Sequence, residues 1–161
     1  MKNFSTKRIA RIAIVAALYF AVTLAVAPIA FGQVQFRVSE ILVLLCFYNK
    51  DYCYSMGLGC LLANFFSPMW TLDVPFGTLA TVIAVVLMVV LGKNLLIASL
   101  FPVIINGIIV GLELYVAFGG LPLWMFMASV AFGELVVVTI VGVPVFKLLE
   151  KNQTFMKLIR E

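Results

Sequence analysis

The sequence predicts an all-α integral membrane protein with six transmembrane helices and both termini on the cytoplasmic side. Three observations predict it. Of the 161 residues, 65% are apolar and only 11% charged, against about 45–50% and 25% in soluble domains. Breakers divide the apolar sequence into six runs, and a span takes roughly 20 apolar residues. The basic residues then collect on one side of the resulting bundle. The connections are short, so residues 1–161 are expected to form a single membrane-embedded domain.

The first span covers about Ile9–Ala27 and ends near Pro28 and Gly32. Lys2, Lys7, Arg8 and Arg11 precede it, as basic residues precede the core of a signal peptide. The apolar run Ile12 to Phe31 exceeds the roughly 7–15 residues of such a core. Pro28 also follows the A-x-A-like stretch Ala25-Val26-Ala27, so a retained helix is expected. The second span, about Val38–Tyr48, is closed by Asn49-Lys50-Asp51. The third, about Cys53–Phe66, stops before Ser67-Pro68. Both are short for a crossing and should tilt, thin the bilayer or pack within the protein. The fourth runs from about Pro75 to Leu91 and stops at Gly92-Lys93-Asn94. The fifth runs from Leu95 to Phe118 before Gly119-Gly120, and the sixth from Pro122 to Leu148.

With six spans, every lysine and arginine except Arg37 falls on the side of the termini. Lysine and arginine mark the cytoplasmic face. The net charge of +4 therefore suits an anionic membrane surface, and no continuous basic patch points to nucleic acid. Trp70 and Trp124 fall in outward loops, where an interfacial aromatic belt is expected. Cys46, Cys53 and Cys60 lie in or beside apolar segments and read as small packing residues.

Much chemistry is missing. There is no histidine, the commonest metal ligand and general base. No phosphate-binding G-x-x-x-x-G-K-[ST] loop occurs, and neither H-E-x-x-H nor G-x-S-x-G is present. The two aspartates, Asp51 and Asp73, fall in loops. No metal, cofactor or enzymatic activity is expected. What remains is a binder in the membrane that takes its energy from elsewhere.

Polar groups at membrane depth are costly and usually face the bundle interior. Gln33, Gln35, Arg37 and Glu40 lie in the first outer loop and the first turn of the second span. Asn64 lies near the outer end of the third and Asp73 in the second outer loop. Asn106 and Glu113 lie in the fifth, Glu134 half-way down the sixth. All are in the outer half or near the midplane, which predicts a polar cavity open to the outside. Asn106 and Glu113 are seven apart and share a helix face. Asn106 suits either a ligand or an interhelical hydrogen bond, and Arg37 either a ligand or Glu40, three residues on. No basic residue in their own spans pairs with Glu113 or Glu134. On the first span Ala13, Ala17, Ala21 and Ala25 recur every four residues. Such a stripe suits close internal packing or a partner helix.

The alanine stripe on the first of six spans resembles the membrane-embedded substrate-binding (S) components of energy-coupling factor (ECF) transporters. Among these, the chain is most similar to the queuosine-precursor transporter (QueT) family. The resemblance is carried by Val34-Gln35-Phe36-Arg37-Val38-Ser39-Glu40, Gly59-Cys60-Leu61-Leu62-Ala63-Asn64 and Asp73-Val74-Pro75-Phe76-Gly77-Thr78-Leu79-Ala80-Thr81. Pro102 to Gly107, Gly111-Leu112-Glu113-Leu114 and Gly133-Glu134 add to it. It implies a subunit in a bacterial plasma membrane that captures its substrate outside. An ECF transmembrane coupling subunit, docked on the alanine face, and two ATPase subunits would drive import. The implied ligand is a 7-deazaguanine: the aminomethyl or cyano queuosine precursor, or queuine. Its side-by-side N–H and amino donors suit a carboxylate, and an aminomethyl cation suits a second. Glu113, Glu134 and Glu40 supply these acceptors, Asn64 and Asn106 suit the carbonyl edge, and Arg37 and Asp73 complete the polar lining. Phe36, Phe76 or Trp70 could stack on the ring. The residues alone also allow an S component for another vitamin or nucleobase, or a structural or assembly protein whose polar cluster fixes helix packing. A lipid-modifying enzyme fits least.

Overall fold

The computed structural model describes residues 5–32 and 35–160, which are helical and contain no strand. Lys2, Gln33 and Val34 lie outside the described residues. Helix α1 spans Thr6–Ala25, with Ser5 accepting a hydrogen bond from the Arg8 N–H at 3.3 Å as its N-cap. A short turn, Ala27–Ala30, follows. Helix α2, Val38–Tyr48, is wound as a 3₁₀ helix through Leu44 and as α-helix from Leu45. Helix α3 is Tyr52–Asn64. Helix α4, Trp70–Leu91, carries a π-helical turn at Asp73–Gly77. Helix α5 is Leu95–Phe118; Asn94 caps it by accepting from the Ile97 N–H at 2.8 Å, and Gly119 ends it at φ +59°. Helix α6, Leu123–Leu149, is π-helical over Leu135–Gly142. Helix α7, Gln153–Arg160, closes the described chain.

Four helices, α1, α4, α5 and α6, are long and apolar enough to cross a membrane. Helix α3 has 13 residues, so it rises about 20 Å against a hydrocarbon core of about 30 Å. The fourth helix begins at Trp70, five residues before the expected Pro75. The wide turn at Asp73–Gly77 accommodates the proline, which has no N–H to give. Asp73 and Trp70 thus stand on a helix, and so does Trp124, where loops were expected. Helix α7 went unpredicted because its sequence is polar; it is amphipathic and buries Met156 and Ile159. Asn49 Nδ2 donates to the Ile159 carbonyl at 3.2 Å, and Tyr48 Oη donates to Glu150 at 3.0 Å, which ties α7 and the end of α6 to the end of α2.

The bundle packs α1 on α3, α3 on α4, α4 on α5 and α5 on α6. Two glycines permit the closest crossings. A Cβ on Gly59 would sit 2.8 Å from the Ala16 carbonyl oxygen and 2.9 Å from Tyr19 Cβ, and one on Gly111 would sit 2.6 Å from Met127 Cα. The main apolar core gathers Tyr19, Leu44, Tyr52, Met56 and Met88 among others. Removing such surface from lipid gains little by hydrophobicity; close van der Waals packing and interhelical hydrogen bonds hold the helices together. Helix α1 buries Ala16, Tyr19 and Thr23, whereas Ala13, Ala17, Ala21 and Ala25 are all exposed. The alanine stripe is therefore not an internal packing surface of this fold.

Candidate functional site

The polar residues converge at the place where α2 begins. Arg37 precedes α2 with non-helical backbone angles (φ −82°, ψ 87°). Its buried guanidinium lies over the Phe31 ring, 5.4 Å from the centroid, with Nη1 3.7 Å from Cys60 Sγ. It stands within electrostatic reach of Glu40, Asp73, Glu113 and Glu134. Its Nε and Nη2 have no hydrogen-bond partner among the described residues. Arg37 and Glu40 do not form a contact ion pair. Arg37 reaches Cys60 on α3 through Nη1, and Glu40 accepts instead from the Tyr19 hydroxyl.

The other walls come from α3 to α6. Asn64 donates through Nδ2 to the Asp73 carbonyl at 2.8 Å and to Thr78 Oγ1 at 3.1 Å. It thereby pins α3 to the π turn of α4. The Ser67 hydroxyl donates to Asp73 Oδ2. Asp73 and Glu113 face each other between α4 and α5. Asn106 Nδ2 donates to Glu134 Oε1 at 3.0 Å across α5 and α6. Glu134 is the last residue before the π-helical stretch of α6. Arg37, Glu40, Asn64, Asp73, Asn106, Glu113 and Glu134 are each no more than 5% exposed. Every one has at least one polar side-chain atom without a hydrogen-bond partner among the described residues, and Arg37 and Glu113 have two each.

The fold thus brings together seven of the ten residues expected to bind substrate. The three aromatic residues stand apart. Trp70 and Phe76 are 52% and 47% exposed; Phe36 is half-buried, with its ring edge-on to Phe132 at 6.3 Å. Phe31, under Arg37, is an aromatic ring that the polar cluster does touch. Sequence reasoning also missed Tyr19, Thr23 and Ser39. Thr23 Oγ1 and Ser39 Oγ lie 2.6 Å apart, and Thr23 donates to the Tyr19 carbonyl at 2.9 Å. The spacing of Tyr19 and Thr23 was a usable signal: two hydroxyls four apart lie on one face of an otherwise apolar span. Cys60 was read as packing alone, yet its Sγ lies 3.3 Å from Thr81 Oγ1 and accepts from Asn64 at 3.4 Å.

Four carboxyl groups stand within electrostatic reach of one guanidinium, so acceptors exceed donors among the described residues. Buried polar atoms normally find partners, and leaving one unsatisfied costs about 1–3 kcal/mol. A concentration of them in one place suits a small molecule rich in N–H groups or carrying a positive charge. No group of His, Cys, Asp or Glu suited to hold a metal occurs among the described residues.

The profile of the QueT transporter family matches residues 9–151. A queuosine precursor transporter QueT of Lactococcus lactis subsp. cremoris (strain MG1363) is 44% identical over 85 residues, which is 52% of this chain and 50% of that protein. The match therefore spans about half the length of the curated relative. No solved structure matches the chain. The family match runs from within α1 to just past α6, includes every residue of the polar cluster, and covers most of the sequence: this membrane protein belongs to the QueT transporter family.

Proposed function

We propose that the protein is the substrate-binding component of an ECF-type importer and captures a queuosine precursor from outside the cell. The observation that carries this reading is the convergence of Arg37, Glu40, Asn64, Asp73, Asn106, Glu113 and Glu134, all buried and all with polar atoms unpartnered among the described residues. A 7-deazaguanine presents adjacent N–H and amino donors to a carboxylate, and its carbonyl edge accepts from Arg37. The excess of carboxyl groups favours the aminomethyl form, whose ammonium takes a second carboxylate. Family membership and the name of the Lactococcus relative support the same ligand class.

The remaining parts of the proposal follow the charge and the exposed alanines. The bundle crosses six times, with α2 and α3 as short second and third spans, and both termini face the cytoplasm of a bacterial cell. Basic residues at one end of the bundle support this orientation. The exposed stripe Ala13, Ala17, Ala21 and Ala25 receives a transmembrane coupling subunit, and two partner ATPases supply the energy. Transport, with no chemical change to the substrate, is the activity.

A thermal-unfolding screen of the purified protein tests the reading. The aminomethyl and cyano deazaguanines, queuine, guanine and a set of vitamins are the probes. A specific ligand at about 100 times its dissociation constant stabilises by roughly 2.7 kcal/mol. Stabilisation by a deazaguanine and not by the vitamins is expected. A response to a vitamin alone would assign the site to another substrate, and no response to any probe would leave helix packing as the cluster's role.

A further inference from the structure

A second site lies away from the polar cluster, on the outer surface between α3 and α4. Here the helices leave a groove of about 670 Å³. Its floor is tight: a Cβ on Gly57 would lie 3.3 Å from Val82 Cγ2, and Cys53 Sγ lies 4.0 Å from the Val85 carbonyl. Its walls are aliphatic, with Leu58, Leu61, Val82, Val86 and Val89 along its length. Its end, near Val90, is lined by Arg8, Lys50 and Asp51. We propose that this groove is a binding site for an anionic phospholipid, with the acyl chain along the valine wall and the phosphate at Lys50.

Charge and shape both argue for that occupant. Asp51 is already met by Arg8 at 2.5 Å and by Arg11 at 3.7 Å. Three basic residues against one carboxylate leave the groove's end positive, and Lys50 is exposed there without an ion pair among the described residues. A zwitterionic headgroup gains little from such a field, whereas each basic residue near an anionic lipid surface contributes about 1 kcal/mol, or about fivefold in affinity. Tyr54, 59% exposed, also lines the groove near this end, as interfacial tyrosines do. The wall from Val82 to Val90 rises about 12 Å. A helix about 10 Å across would fill roughly 900 Å³ over that length, more than the groove provides. The one glycine of the lining, Gly57, is already packed on Val82, and the valines and leucines that face the groove are not the small residues through which membrane helices approach one another. A single lipid chain meets both limits. The site is independent of the proposed transport function.

Native mass spectrometry of the full chain, released from detergent after titration with lipid, tests the proposal. Phosphatidylglycerol and phosphatidylcholine with identical chains are the probes, and glycerol 1-phosphate reports on the headgroup alone. Phosphatidylglycerol should be retained about fivefold more than phosphatidylcholine. Lys50→Gln, which leaves two arginines against Asp51, should lower that preference, and Val86→Trp, which fills the groove, should lower retention of both lipids. Glycerol 1-phosphate should not displace the lipid. Equal retention of the two lipids, a preference unchanged by Lys50→Gln, or full displacement by glycerol 1-phosphate would each overturn the assignment. So would unchanged retention by Val86→Trp. Lys50 is on the surface, so its arm decides the matter even where the tryptophan variant fails to fold.

Discussion

Asn106 on α5 and Glu134 on α6 are joined by a 3.0 Å hydrogen bond at the centre of the polar cluster. The bond occupies one carboxyl oxygen of Glu134 and leaves the other, Oε2, without a partner among the described residues. One side chain thus serves two ends: Oε1 ties two helices together while Oε2 is available to a donor. Replacing Asn106 by Leu should leave Oε1 unpaired as well. A stability loss of about 1–3 kcal/mol is expected in equilibrium unfolding of the detergent-solubilised protein. Unchanged stability would mean that the bond does not hold α5 to α6.

Glu113→Gln and Glu134→Gln keep the volume and exchange an acceptor oxygen for a donor. Against a ligand donor this leaves buried groups unpaired, at a cost of about 1–3 kcal/mol or more where charge is involved. The affinity for a deazaguanine ligand should fall by roughly tenfold to more than a hundredfold, read by calorimetric titration. If both variants bind as the parent does, the carboxylates that meet the ligand are Glu40 and Asp73.

Tyr19→Phe removes the hydroxyl that donates to Glu40 and keeps the ring against Gly59. Glu40 then has two unpartnered oxygens instead of one, and its carboxyl is free to turn. Ligand affinity should drop about tenfold, while Thr23→Ala, which touches Ser39 rather than a carboxylate, should change it much less. Equal effects from the two substitutions would show that the hydroxyl acts only through packing of α1 on α2.

Ala17→Trp and Ala21→Trp place bulk on the exposed stripe of α1. Ligand binding by the purified protein should be unaffected, since Tyr19 and Thr23 face the other way. Uptake by whole cells should be lost, because bulk on a small-residue face holds a partner helix off. Uptake that survives both changes would remove the stripe as the docking surface.

Single cysteines at Thr71 and Leu121, both exposed, should react with an impermeant thiol reagent added to intact cells. One at Lys93, exposed at the opposite end of α4, should react only after the cells are opened. Labelling of position 93 in intact cells would reverse the orientation.

The sequence was most legible where composition alone decides. Long apolar runs bounded by Gly, Pro and charged turns gave α5 almost to the residue, and α6 within a residue or two, because lipid admits few alternatives to a helix. Costly polar residues in those runs pointed to Glu113, Glu134 and Asn106 for the same reason. The start of α4 was misread because Pro75 signals a helix boundary, and only the folded chain reveals the wide turn that absorbs it. The partner of Glu40 was misread because proximity in sequence favoured Arg37, whereas the partner, Tyr19, lies 21 residues away. Aromatic stacking candidates were chosen by their nearness to polar residues along the chain. Phe76 and Trp70 turn out to face outward, and Phe31 lies under Arg37. Phe76 and Trp70 stand in and just before the π-helical turn of α4, which leaves no trace in apolar periodicity.

The burial of the cluster has a consequence for timing. For the proposed ligand to reach side chains no more than 5% exposed, neighbouring helices have to move apart. Arrival is then slower than diffusional encounter, because an association that needs a conformational change falls below the usual range of about 10⁵–10⁷ M⁻¹s⁻¹. Departure is slowed by the same barrier. A bound molecule's residence time is therefore set by how often the bundle opens as well as by how many bonds hold it, and two ligands of equal affinity can wait for very different times before they leave.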